Sequence, residues 1–249
     1  MFGRRRKAAK NEDEQLIDVE ETVEDLDDQA EEVDEAEEGE PLDKWDALDI
    51  SRDWCEDGPF DISEVDLDAD DVERLDFGCL VLTPFEGMQM QLQVDQRTNR
   101  VQAALVMAGS SAIEIALFAA PANTKIASDV RRELAEAAQK SGGKVEFVEG
   151  PFGTEVRRAV PVTDGKGNKA MHISRTWLAE GPKWLLRGVV MGEAAKASGT
   201  DGVSELLYEF FSNTVVRRDA QPRAPRDLIP MTLPTSVDQA GKAEGEDEA

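Results

Sequence analysis

Alternation of apolar and polar residues is the feature that most constrains the fold of this chain of 249 residues. From Met88 to Val94, Met, Leu or Val alternates with Gln, which is typical of a strand with one buried and one solvated face. Later apolar segments are separated by short joints rich in Gly and Pro. Because parallel neighbours need a long crossover, such joints predict consecutive antiparallel strands.

The sequence predicts an α+β fold: an antiparallel sheet of about seven strands, with a middle helix and a C-terminal amphipathic helix packed on it. The seven predicted strands are Met88–Val94, Val101–Met107, Ala112–Ala119, Lys144–Glu149, Thr154–Val162, Ala170–Leu178 and Trp184–Met191. The middle helix has Ser128 as its candidate cap and ends at Gly142-Gly143. The second helix spans Val203 to Phe211, with apolar residues at helical spacing.

Charge divides the chain more sharply than apolar content does. The formal net charge is -25, and residues 11–71 contain 29 acidic residues against only Lys44 and Arg52. Such a segment repels itself and buries little, which favours disorder. We therefore predict a basic opening and disordered acidic arm over 1–71, a sandwich domain with a proline-rich C-terminal segment over 72–234, and a disordered tail over 235–249.

Large apolar residues punctuate the acidic residues between Trp45 and Leu67. Two interpretations stay open for this stretch. It either docks on a partner, or packs on its own sheet as an ordinary N-terminal arm.

The chain has few of the side chains that most catalytic and metal sites use. One histidine and two cysteines disfavour a tetrahedral zinc site, a Ser-His-Asp triad and a disulfide framework. His172 lies alone on a predicted strand, where a structural role is commoner than catalysis, and Cys79 is expected to be a small buried apolar residue. Gly165-Lys166-Gly167 lacks the remainder of any nucleotide-binding motif and is expected to be a hairpin turn. We expect no metal and no cofactor.

Location and gross charge limit the partners. The basic opening is followed by no apolar stretch, and no segment reaches the roughly 20 apolar residues that span a bilayer, so we expect a cytoplasmic protein without stable membrane association. The excess of acidic residues disfavours direct nucleic-acid binding.

Arginines that interrupt apolar strand faces are the most informative functional feature. Arg158 and Arg175 are expected to lie close enough to hold one carboxylate or phosphate, and Arg187 joins them only if the turn at residues 180–182 shifts the register by one. The alternative is that each arginine extends to solvent at a sheet edge or stacks on Trp177 or Trp184. These five residues are the candidate anion-binding or partner-binding set.

Several motifs carry a resemblance to a known family. The opening MFGRRR, the acidic leader, and the motifs EGPFG, RGVVMG and APRDLIPMTLP together resemble an actinobacterial family filed as a domain of unknown function. That resemblance implies a cytosolic protein and assigns no activity. The order of strands and helices is also similar to that of Mog1/PsbP-like sandwiches, which mostly bind partners.

The sequence favours a non-enzymatic cytosolic interaction protein over an enzyme. The sandwich domain would bind a protein or small anionic partner, and the acidic arm would keep it soluble or regulate access by repulsion. In a refinement of this hypothesis, the arm itself occupies the arginine site. One alternative is an enzyme with an unfamiliar site on the arginine-bearing sheet. Another is a regulator whose acidic tail binds basic proteins associated with nucleic acid.

Overall fold

The computed structural model describes residues 43–163, 167–219 and 221–233. Within these ranges lie three α-helices, a 3₁₀ turn at Gly202–Ser204 and eleven strands, numbered in chain order. In that order they are α1 (Lys44–Asp49), β1 (Phe60–Asp61), β2 (Leu75–Asp76), β3 (Leu80–Leu82), β4 (Met88–Asp95), β5 (Arg100–Ala108), β6 (Ser111–Ala119), α2 (Ala127–Lys140), β7 (Lys144–Gly150), β8 (Gly153–Thr163), β9 (Lys169–Gly181), β10 (Trp184–Gly192), α3 (Glu205–Ser212) and β11 (Val215–Val216).

A seven-stranded antiparallel sheet dominates the fold and confirms the predicted fold class. Its order is β4-β5-β6-β10-β9-β8-β7, so two meanders, one before α2 and one after it, meet where β6 pairs with β10. The predicted turn between β8 and β9 falls largely on residues 164–166, outside the described ranges; the strands on either side pair from Thr163 opposite Lys169.

The two faces of this sheet have different coverings. One face, here called the core face, packs on α3 through a cluster that includes Trp177, Leu186 and Phe211. Gly188, in the RGVVMG motif, makes this packing possible, because a Cβ there would lie 2.6 Å from the Phe211 ring. The opposite face is partly covered by α2, whose Ile126 end packs on Leu178 and Leu185. We call it the arginine face, for residues described below.

A second, four-stranded sheet was not predicted from the sequence. Its order is β1-β11-β3-β2, and β1 pairs with β11 in parallel. Its strands are two or three residues long, which is too short to produce a visible alternation.

Residues 43–71, which the sequence analysis assigned to the disordered arm, are structured. They form α1 and β1, and Val65 is buried with Val81 and Val215. Averaging charge over the segment misses these contacts, because individual apolar side chains find partners on the domain. The arm before Asp43 and the tail over 235–249 lie outside the described residues. No helix in the described ranges has the length and apolar character needed to cross a bilayer.

Candidate functional site

The pairing register decides which arginines share a face. Arg157 lies opposite Arg175, and Arg158 lies opposite Ser174. Because strand side chains alternate between faces, Arg158 and Arg175 point to opposite sides of the sheet. The structure therefore does not bring these two predicted site residues together. The register depends on the β8–β9 turn, and the sequence offers no independent way to count its residues.

On the core face, Arg175 is part of a buried ionic network. Its side chain is 2% exposed, and its Nη2 lies 2.8 Å from Oε2 of Glu155, itself 1% exposed. The same carboxylate accepts hydrogen bonds from Arg157 Nε at 2.7 Å and from Trp177 Nε1 at 2.7 Å. Arg175 Nη1 also donates to the carbonyl oxygens of Ala194 and Gly199. Every hydrogen-bonding nitrogen of Arg175 thus has a partner, and neither Arg175 nor Trp177 offers a free polar group to a ligand.

Trp184, the other predicted tryptophan, is also a core residue. It is 1% exposed, and its Nε1 donates to Oδ2 of Asp61 at 2.9 Å. This bond joins the large sheet to β1 of the small sheet. The structure gives Trp184 a role in joining the two sheets.

On the arginine face, the register brings Arg158 and Arg187 to the same side. Arg187 lies opposite Leu178 of β9, and Arg158 lies opposite Ser174 of the same strand. Because Leu178 and Ser174 are an even number of residues apart, the two arginines lie on the same face. The predicted pair of Arg158 with Arg175 is thus replaced by Arg158 with Arg187. Burial, and secondarily the positive charge of Arg187, lower the pKa of Arg158.

Neither guanidinium has a strong counter-ion. In the described part of the chain no carboxylate forms an ion pair with Arg158. Among the same described residues Arg187 pairs only with Glu114, at 3.8 Å, and its carbon Cζ lies 4.9 Å from the centre of the Phe118 ring. Burial lowers the pKa of Arg187, and Glu114 opposes that shift.

Three polar atoms on this face are buried without a hydrogen-bond partner among the described residues: Nε of Arg158, Nε of Arg187 and Oγ1 of Thr176. Thr176 is fully buried and lies on the strand between the two arginines, opposite Val189 of β10. Buried polar groups are normally satisfied. Unsatisfied groups beside one unpaired and one weakly paired cation are therefore a candidate site for an acceptor supplied by another molecule.

An apolar groove runs from Arg187 along α2. The cavity has a volume of about 310 Å³, and its lining includes Phe118, Val130, Leu134 and Leu185. At its border Arg226 pairs with Asp129 and Glu133 of α2. The site thus combines a cationic end with an apolar channel.

Arg131 was missed in the sequence analysis. It is 1% exposed and forms ion pairs with Asp46 and Asp49, which fix α1 on the domain. Oδ1 of Asp49 also accepts a hydrogen bond from the backbone nitrogen of Thr154 at 2.7 Å. The available signal was position: Arg131 precedes Leu134 by three residues and Ala138 by seven, so it lies on the buried side of α2.

The remaining sequence candidates form no catalytic constellation. His172 is exposed on β9, opposite Val160. Cys79 is buried, as predicted, and both Cys79 and Cys55 are free thiols whose pKa is raised by burial to about 12. The described ranges contain no group of three His, Cys, Asp or Glu side chains that could hold a metal ion.

Comparison with known proteins gives a family and two distant structural similarities. The family described as "Protein of unknown function (DUF3710)" matches residues 58–240. A crystal structure from Bacteroides thetaiotaomicron has 13% identity and a TM-score of 0.38, and the alignment covers 67% of this chain and 55% of that one. The solution structure of cyanobacterial PsbP from Synechocystis has 10% identity and a TM-score of 0.34, with 58% and 92% covered. No curated protein matches the chain.

Proposed function

The chain belongs to this family of proteins of unknown function (DUF3710), and we propose that it is a non-enzymatic protein that binds an acidic segment of a protein partner. The binding surface is the arginine face, with Arg158 and Arg187 as the residues that hold carboxylates.

The observation that carries the proposal is the presence of two partly buried guanidinium groups on one face of the sheet without adequate counter-ions. Arg158 has no ion pair in the described ranges, and the 3.8 Å distance from Arg187 to Glu114 exceeds that of a charge-assisted hydrogen bond. Two like charges that are partly removed from water destabilise each other. An incoming carboxylate relieves that repulsion, so the anion-bound state is favoured over the free one.

The groove beside Arg187 favours a protein segment over a free inorganic anion. Its lining of Phe118, Leu134 and Leu185 offers apolar surface that a small anion does not use. A segment in which acidic residues alternate with apolar ones would place a carboxylate on the arginines and an apolar side chain in the groove. Recognition then depends on both charge and shape.

We further propose a cytosolic location. Two unpaired thiols, Cys55 and Cys79, suit a compartment in which thiols stay reduced.

The test compares the full chain with the double variant Arg158→Gln/Arg187→Gln as baits in lysate of the source cells, with cross-linked segments mapped by mass spectrometry. The matched control is Arg97→Gln/Arg132→Gln, which removes two exposed arginines outside the site. We expect a partner whose retention falls at least tenfold in the double variant and is unchanged in the control. Its cross-linked segment should be acidic.

Equal retention by all three baits, or cross-links to a basic segment, would contradict the proposal. The same baits, titrated with acetate and inorganic phosphate, test the alternative that the site binds a small anion alone. If either ion binds as tightly as the captured segment does, the groove contributes nothing and the protein-partner proposal fails. Deleting residues 1–42 tests the acidic arm as the occupant: a gain in partner retention would identify it as an internal competitor.

A further inference from the structure

A second cavity, on the other side of the sheet, is independent of the arginine face. It lies between the segment at residues 52–58, the β7–β8 turn, residues 198–200 and Tyr208 of α3, and its volume is about 580 Å³. We call it the arm cleft. The turn that borders it belongs to the EGPFG motif, whose sequence alone indicates no function. The volume is within the range of small-molecule sites.

The inner wall of the arm cleft carries a surplus positive charge. Arg157 and Arg175 both bond to a single carboxylate, that of Glu155. Two guanidinium groups and one carboxylate leave a net charge of about one unit, next to a side chain that is only 1% exposed. Arg157 is the more exposed of the two cations, so the surplus charge faces the cleft, where an anion can compensate it.

Of these two arginines, only Arg157 has hydrogen-bond donors available to a ligand. The nitrogens of Arg175 are engaged internally, whereas Arg157 uses its Nε for Glu155. The terminal nitrogens of Arg157 have no partner among the described residues, and the side chain is 30% exposed. Its guanidinium is therefore held in place by one edge, with the other edge available. Two parallel N–H donors match the geometry of a carboxylate.

The opening of the cleft has the opposite charge. Its exposed acidic residues are Asp53, Glu56, Asp57 and Glu149, and Arg52 lies over the Trp54 ring at 3.8 Å. This arrangement repels polyanions such as nucleoside phosphates and attracts an ammonium group. The aromatic surface of Tyr208, stacked on Phe152 with ring centres 5.8 Å apart, lines the same cavity.

We propose that the arm cleft binds a small amino carboxylate, with its carboxylate on Arg157 and its amino group towards the acidic opening. The charge order, positive inside and negative outside, sets the direction of the ligand. The aromatic surface contacts the carbon chain between the two charged groups.

Titration calorimetry on the full chain tests this with three probes of matched length: 6-aminohexanoate, hexanoate and hexylamine. We expect 6-aminohexanoate to bind at least tenfold more tightly than either probe that lacks one charged group. Arg157→Gln should abolish that binding, and Arg132→Gln, an exposed arginine on α2, should not change it. Near-ultraviolet circular dichroism verifies that both variants keep the native fold.

Three results would overturn the proposal. The first is absence of binding by 6-aminohexanoate to the full chain. The second is equal binding of hexanoate, which would remove the role of the acidic opening. The third is unchanged binding of 6-aminohexanoate in Arg157→Gln. If that variant unfolds, the same titration is made with Tyr208→Ala. An affinity loss of less than twofold in Tyr208→Ala would then contradict the proposal. Because Arg158 and Arg187 take no part, none of these results bears on the proposed protein-binding surface.

Discussion

Replacing Glu155 by Gln should destabilise the fold more than most single substitutions. The carboxylate is 1% exposed and accepts hydrogen bonds from Arg157, Arg175 and Trp177. Gln keeps the size and one acceptor oxygen but removes the negative charge, which leaves Arg175 buried without a counter-ion. Breaking a buried ion pair from one side costs about 3–5 kcal/mol. We expect the lower end, about 3 kcal/mol, because one acceptor remains.

Urea unfolding followed by tryptophan fluorescence measures this cost, since Trp177 belongs to the network. The midpoint should fall while the slope stays unchanged. A thermal scan should show Tm lower by about 10 °C, given roughly 2–4 °C per kcal/mol for a domain of this size. Glu146→Gln, an exposed residue on β7, is the control. A loss below about 1 kcal/mol in Glu155→Gln, or an equal loss in the control, would refute the reasoning that this charge neutralises Arg175.

Three further predictions concern the arm and the buried titratable groups. Arg131→Gln should release α1, so amide exchange over residues 44–49 should accelerate while the large sheet stays protected. Cys55 and Cys79, with the pKa of each raised to about 12, should resist a thiol reagent at pH 8 in native buffer and react in urea. Burial raises the pKa of Glu180 above its ordinary 4.5, so the folded state retains a proton that the unfolded state loses. Stability should therefore fall as pH rises from about 4.5 through the raised value, and Glu180→Gln should flatten that part of a urea-midpoint profile.

The large sheet could be predicted because its strands are long. Alternation over seven or more residues is visible in β4, and Gly or Pro marks the end of several strands. The small sheet could not be predicted, since β1 and β11 are two residues each and pair only after distant parts of the chain have folded together. Their stability comes from tertiary packing of Val81 and Val215, which leaves no local pattern.

The arm illustrates a different limit. The charge density of the arm, averaged over about sixty residues, favours disorder. That average cannot show that a buried arginine elsewhere in the chain pairs with individual acidic residues of the arm. Asp46 and Asp49 are acceptable in a folded segment because Arg131 supplies a buried partner across the domain. The interpretation of 45–67 as an arm packed on its own domain agrees with the position of α1. What the composition could not show is that a single arginine on α2 would hold it.

The prediction of which arginines share a face depended on the number of residues in the β8–β9 connection, because that number sets the pairing register. With the observed register, the arginines divide into two groups according to the face they occupy. Arg175 and Arg157 lie on the core face, where Glu155 pairs with both. On the opposite face, among the described residues, Arg158 forms no ion pair and Arg187 pairs with Glu114 at 3.8 Å. An arginine that pairs with an internal carboxylate stabilises the fold and is not available to bind a ligand. A partly buried arginine without such a partner destabilises the folded protein, and an anion from outside relieves that cost by binding to it. Arg158, which has neither an ion pair nor a bonded Nε among the described residues, is therefore the residue whose replacement should least harm folding and most harm binding.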